Sequence, residues 1–240
     1  MTLAKPHPER TRCIGLIAGL GVGAAIHYYR DLAFASESRG RALDMVMVHA
    51  QTARVFEYVA ASDRDGLAAY LNGFILRLRA AGAEFAVVPA VTPHSCIREL
   101  VAISPLPVLS IFEPLVREIA RRNIHRVSVF GSEPVMEARL YGQAGDVEVV
   151  SHRPDELRYL RETYQTLLDT GVGTAEQHAG LTELAHTILE RDHVDAIVLA
   201  GTDLALVFNE SNTDFPHLDC AALHLAAIKD VLFDESRITE

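Results

Sequence analysis

The sequence has no paired cysteines. Cys13, Cys96 and Cys220 are odd in number and widely spaced, with no C-x-x-C among them, so neither a disulfide framework nor a zinc site is expected. Reduced, buried thiols are the plain reading, above all for Cys13, whose neighbours Ile14, Leu16 and Ile17 read as a core strand. Basic runs are also scarce. No cluster of Lys or Arg exceeds the pair Arg121-Arg122, and 22 basic against 32 acidic residues leave a formal charge of -10, which repels a phosphate backbone. Nucleic acid is not an expected partner. No apolar run approaches the ~20 residues that cross a bilayer; the best stretch, Ile14 to Tyr29, holds four glycines and is followed by Arg30. The polar start, Met1 to Arg12, has neither the apolar segment nor the cleavage site of a secretory signal. It reads as a loose tail on a cytoplasmic protein without a membrane partner.

What is present is core material, 49% hydrophobic over 240 residues, enough for one large domain or two small ones. Short runs rich in Val and Ile alternate with longer stretches of helical period, the pattern of βαβ units around a parallel sheet. Strands are expected at 13–18, 45–49, 85–89, 108–110, 127–130, 147–150 and 196–200. Helical stripes run over 63–81, through Leu67, Leu71, Phe74, Ile75 and Leu78, and over 179–190, with a closing helix over 219–232.

The two halves echo one another. Gly82 to Thr92 and His193 to Thr202 each lead from a turn through an apolar strand to a small residue and a threonine. The expected fold class is therefore α/β, with two pseudo-symmetric lobes, each a central mostly parallel sheet flanked by helices. Pro105 and Pro107 mark the crossing, giving residues 1–104 plus 214–240 as the first lobe and 105–213 as the second. In such sheets ligands sit at the carboxyl ends of strands, against helix N-termini. That rule selects four loops: Gly19-Gly23, Ala90-His94, Gly131-Pro134 and Gly201-Asp203. Glycines at every second position in the first loop miss the dinucleotide spacing. Gly19 instead suits a tight turn that brings backbone close to a small ligand.

Taken together, the loops resemble the aspartate/glutamate racemase superfamily, which also holds hydantoin racemases, arylmalonate decarboxylases and maleate isomerases. The likeness rests on Ile14 to Gly21 with Tyr28-Tyr29-Arg30, on Gly82 to His94, on Gly131-Ser132 with Met136 and Tyr141, on Ile197 to Leu204, and on Leu218 to His224, in that order. The resemblance implies a two-lobed fold, commonly a homodimer, that binds a small carboxylate without metal or cofactor. It also implies two cysteines flanking the substrate α-carbon. Here the chain departs: Ala90 and Gly201 stand at those two positions, and neither side chain can carry a proton.

By the same resemblance, Thr92, Ser132 and Thr202 match the hydroxyls that hold the substrate carboxylate. They are also plausible helix caps. His94 and His224 match family histidines and Asp203 replaces a glutamate, so these three are the candidates for proton transfer; a hydrogen-bonded structural role is the alternative for each. Cys96 and Cys220 are weaker substitutes, and Glu210 reads as part of a solvated loop. The leading expectation is a divergent enzyme acting on a small carboxylate or amino-acid-like substrate by cofactor-independent, non-thiol chemistry of lyase, hydrolase, decarboxylase or isomerase type. The alternatives are an amino-acid racemase or epimerase with substituted acid/base residues, and a non-catalytic carboxylate-binding protein.

Overall fold

The computed structural model describes residues 10–234. The first lobe runs β1 (Ile14–Ala18), α1 (Val22–Ser38), β2 (Met45–His49), α2 (Thr52–Ala60), α3 (Arg64–Ala80), β3 (Phe85–Val87), a 3-10 turn over Thr92–Cys96, α4 (Ile97–Ile103) and β4 (Val108–Leu109). The second comprises α5 (Phe112–Arg122), β5 (Arg126–Phe130), α6 (Glu133–Glu137), a short 3-10 turn over Leu140–Gly142, β6 (Glu148–Val149), α7 (Pro154–Thr170), α8 (Ala175–Asp192), β7 (Ala196–Leu199), a 3-10 turn over Thr202–Leu206 and β8 (His217–Asp219). The last helix, α9 (Cys220–Leu232), returns to the first lobe, where Ala221, Leu225, Ile228 and Leu232 pack with Ile14, Leu16, Tyr28 and Leu32.

Both sheets are four-stranded and parallel throughout. Their orders, β2-β1-β3-β4 and β6-β5-β7-β8, are the same arrangement repeated. Helices cover both faces, so the central strands are apolar along their length: β1 and β7 are buried at every residue. Beneath the first sheet, Leu67, Leu71, Ile75 and Leu78 of α3 form one buried stripe, and truncating one of these to Ala costs ~2–5 kcal/mol. Helix starts follow the local chemistry. Asp63 accepts from Gly66 N, Thr174 and Gln177 form a capping box, and Asp219 accepts from the backbone of Ala221 and Ala222.

Several expectations shift. β4 belongs to the first sheet and β8 to the second, so the crossings fall after Leu109 and at Asp219 rather than near 105 and 214. β8 has no signal of its own, since its three residues carry only one buried apolar side chain. Of the segment read as a loose tail, residues 1–9 lie outside the described region. Residues 10–12 are anchored, because Thr11 is buried and bonds to Ala42 and Asp44. Cys13 is half-buried, at the rim beside Asp44 and Glu84, while Cys96 and Cys220 are buried. Among the described residues no helix is long and apolar enough to cross a membrane.

Candidate active site

The four selected loops meet between the lobes. Gly19 and Gly21 carry φ values of +84° and +115°, the left-handed region that favours glycine, and the chain after β1 turns there into α1. The volume that a Cβ on Gly21 would need is filled by the carboxylate of Asp203 from the other lobe. Asp203 Oδ1 accepts from Ala24 N at 3.1 Å, and Oδ2 accepts from the Tyr164 hydroxyl at 3.4 Å. The first turn of α1 has no acidic side chain of its own and no side-chain cap, and a carboxylate from the other lobe satisfies one of its free N–H groups, that of Ala24. Asp203 is fully buried. Burial lifts its carboxyl to about 6, against the pull of the two hydrogen bonds. It lies in a 3-10 turn rather than an α-helix.

The three hydroxyls cap nothing. They join the lobes instead: Thr92 Oγ1 lies 2.8 Å from Ser132 Oγ, and Thr202 Oγ1 donates to Pro89 O at 2.9 Å. Thr92 and Ser132 therefore form one pair, with Thr202 on a separate bond.

The histidines lie side by side behind this layer, ring centroids 6.2 Å apart. His94 Nδ1 is 2.7 Å from Ala90 O, and Nε2 accepts from Ile111 N at 3.2 Å. His224 Nδ1 is 3.1 Å from the Tyr28 hydroxyl, and Nε2 is 3.1 Å from Leu109 O. With every ring nitrogen engaged and both rings buried, desolvation holds them neutral, at about 4 for His94 and about 3 for His224. This is the hydrogen-bonded structural arrangement, and it leaves neither ring a free lone pair facing the cleft.

Between Ala90 and Tyr164 lies a void of about 20 Å³, walled on the first-lobe side by Leu20, Thr52, Val55 and Thr92. It shares Phe56, Tyr164 and Leu168 with a larger cleft of about 520 Å³ that also reaches Ser132 and Arg161. A Cβ on Gly201 would collide with the Tyr164 ring, so the tyrosine occupies the volume that position 201 leaves empty. Tyr164 and Thr52 escaped the sequence reading. Tyr164 sits on the buried face of α7 with Leu160 and Leu167, where a core aromatic is unremarkable. Thr52 donates to Gly19 O at 2.6 Å and fixes the glycine turn. Neither remaining thiol reaches the void: Cys96 bonds to Pro93 O at 3.3 Å and is pushed up to about 12, and buried Cys220 is also raised. Glu210 lies in an exposed turn. Among the described residues no group of three His, Cys, Asp or Glu side chains is placed to hold a metal ion.

The chain is 25% identical over 167 residues to the broad-specificity amino-acid racemase RacX of Bacillus subtilis, covering 67% of this chain and 70% of that protein. Its fold is similar to an aspartate racemase homologue from Pyrococcus horikoshii OT3, with a TM-score of 0.74, 20% identity, and 92% and 99% of the two chains covered. It is similar also to the aspartate racemase of Picrophilus torridus, with a TM-score of 0.73, 16% identity, and 92% and 94% covered. Residues 17–228 match the family described as Asp/Glu/hydantoin racemase, and the chain belongs to that family.

Proposed function

We propose that this protein is a cytoplasmic enzyme acting on a small carboxylate or amino-acid-like substrate by cofactor-independent acid/base chemistry without a thiol. The observation that carries the reading is Asp203, a buried carboxyl near neutral pKa behind the interlobe void. A pKa close to the working pH suits a group that both gives and takes a proton. Thr92 and Ser132, with the backbone of the Gly19 turn, hold the substrate carboxylate, exchanging their mutual bond for bonds to the anion. Thr202 holds the void's two sides together through Pro89. His94 and His224 support the strand ends that carry these groups. Lyase, hydrolase, decarboxylase and isomerase reactions are all within reach of such a site. A second copy of the chain would pair on the exposed apolar face formed by Val22, Ile26, Tyr29 and Met47, which borders a groove of about 430 Å³.

The second reading is an amino-acid racemase, favoured by the likeness to the Bacillus subtilis protein. Incubation in deuterated water with amino acids and small carboxylates separates the readings. A product that disappears with Asp203→Asn supports the first, whereas both enantiomers exchanging their α-hydrogen supports the second. A ligand that raises thermal stability yet is recovered unchanged, without deuterium, overturns both in favour of a binding protein.

A further inference from the structure

Resting on the first reading above, we infer that Tyr164 is the catalytic residue that exchanges the proton with substrate, and that Asp203 acts through it as a positioning and proton-supplying residue.

The void lies between the lobes, with Leu20, Thr52, Val55, Ala90 and Thr92 on the first-lobe side and Tyr164 and Leu168 on the second. It shares Phe56, Tyr164 and Leu168 with the cleft of about 520 Å³, and Tyr164 and Asp203 both belong to the second lobe. Among the side chains around the void, only Tyr164 is an acid/base group; the others are apolar or aliphatic hydroxyls. Asp203 is fully buried and is not among the residues around the void, whereas Tyr164 is, and its hydroxyl lies 3.4 Å from Asp203 Oδ2. A proton passing between the Asp203 carboxyl and a substrate carbon facing Ala90 therefore has one route, through the phenol.

In the protonating direction the Tyr164 O–H bond breaks as a C–H bond forms on the substrate carbanion. The phenolate then takes the proton of the Asp203 carboxyl, leaving a carboxylate. In the deprotonating direction the same bonds form and break in reverse, so no other reactant is consumed. Burial raises both groups, which favours the protonated pair and hence a donor role. The opposite wall offers only apolar side chains and the aliphatic hydroxyls of Thr52 and Thr92, so protons are delivered on one face of the carbon.

The test compares Tyr164→Phe and Asp203→Asn with the parent on any carboxylate the parent converts. Tyr164→Phe is expected to lower kcat by ~100- to 10,000-fold with little change in KM. Asp203→Asn is expected to lower kcat as well and, in the residual activity, to remove the limb of the pH profile near 6, which a merely structural role would leave in place. Full kcat in Tyr164→Phe, with Asp203→Asn inactive, overturns the Tyr164 assignment while the first reading stands. A parent that converts no carboxylate overturns the reading and this inference together. If Tyr164→Phe fails to fold, Tyr164→Leu paired with Gly201→Ala refills the volume, and retained kcat there counts equally against the assignment.

Discussion

Gly201 and Tyr164 share one side-chain volume: the ring of the tyrosine stands where the first carbon of any side chain at 201 would go. A cysteine restored at 201 therefore meets a filled site. Gly201→Cys is expected to destabilise the protein by about 1–3 kcal/mol through overpacking. Tyr164→Ala in the same chain should recover part of that loss, a coupling that denaturant unfolding of the single and double variants measures. Additive effects would mean that the ring moves aside without cost.

Asp203 links stability to pH. Its folded pKa of about 6 lies above the ordinary 3.8, so between those values the folded state binds more protons than the unfolded chain. Stability from this group is greatest below pH 4 and falls as pH rises to 6, by about 3 kcal/mol. Asp203→Asn does not ionise and should gain on the parent by that amount from pH 4 to 7 in urea unfolding. A constant gap between the two proteins across that range would show that the carboxylate is stabilised as an anion.

His94 and His224 act in the opposite direction. Held neutral at about 4 and about 3 against an ordinary 6.5, they bind fewer protons folded than unfolded. Their contribution is intact above pH 6.5 and is lost as pH falls toward 4, at about 3 kcal/mol for His94 alone. His94→Gln is expected to unfold more readily at pH 7, through loss of the bonds to Ala90 and Ile111, but with a flatter response to acid.

The hydroxyls should separate by role. Thr92→Val removes a donor to the substrate carboxylate, a bond to a charged group worth about 1.5–3 kcal/mol, or roughly ten- to a hundredfold in affinity. Thr202→Val instead leaves Pro89 O without its donor and should cost about 1–3 kcal/mol of stability, with a smaller change in affinity. Isothermal titration with the best-binding carboxylate, together with thermal unfolding of each variant, checks the division; equal loss of affinity at both positions would restore Thr202 to the binding set.

Alkylation should not touch activity. Cys96 and Cys220 are buried with raised pKa values and away from the void, and thiolate is the reactive form. Iodoacetamide at neutral pH is expected to modify half-exposed Cys13 first and to leave turnover unchanged. Loss of turnover in step with modification of Cys96 or Cys220 would return a thiol to the mechanism.

The sequence by itself determined the alternation of strands and helices, the repeated strand-to-threonine turns, the helix starts near Asp63 and Asp219, and the absence of thiols at Ala90 and Gly201. These are local properties: a period of hydrophobicity, a side chain beside its own helix start, the identity of one residue at a strand end. Tertiary structure alone decided the partners. Asp203 meets Ala24 across 179 positions and Tyr164 across 39, and Tyr28 meets His224 across 196. No local pattern distinguishes a tyrosine on the buried face of α7 that fills a core from one that fills the space left by a glycine in another loop. That difference depends on how α7 is rotated and where it docks against the strand ends, which the packing of both lobes sets together. The same packing engaged the two histidines and turned Thr92, Ser132 and Thr202 from candidate caps into ties between lobes.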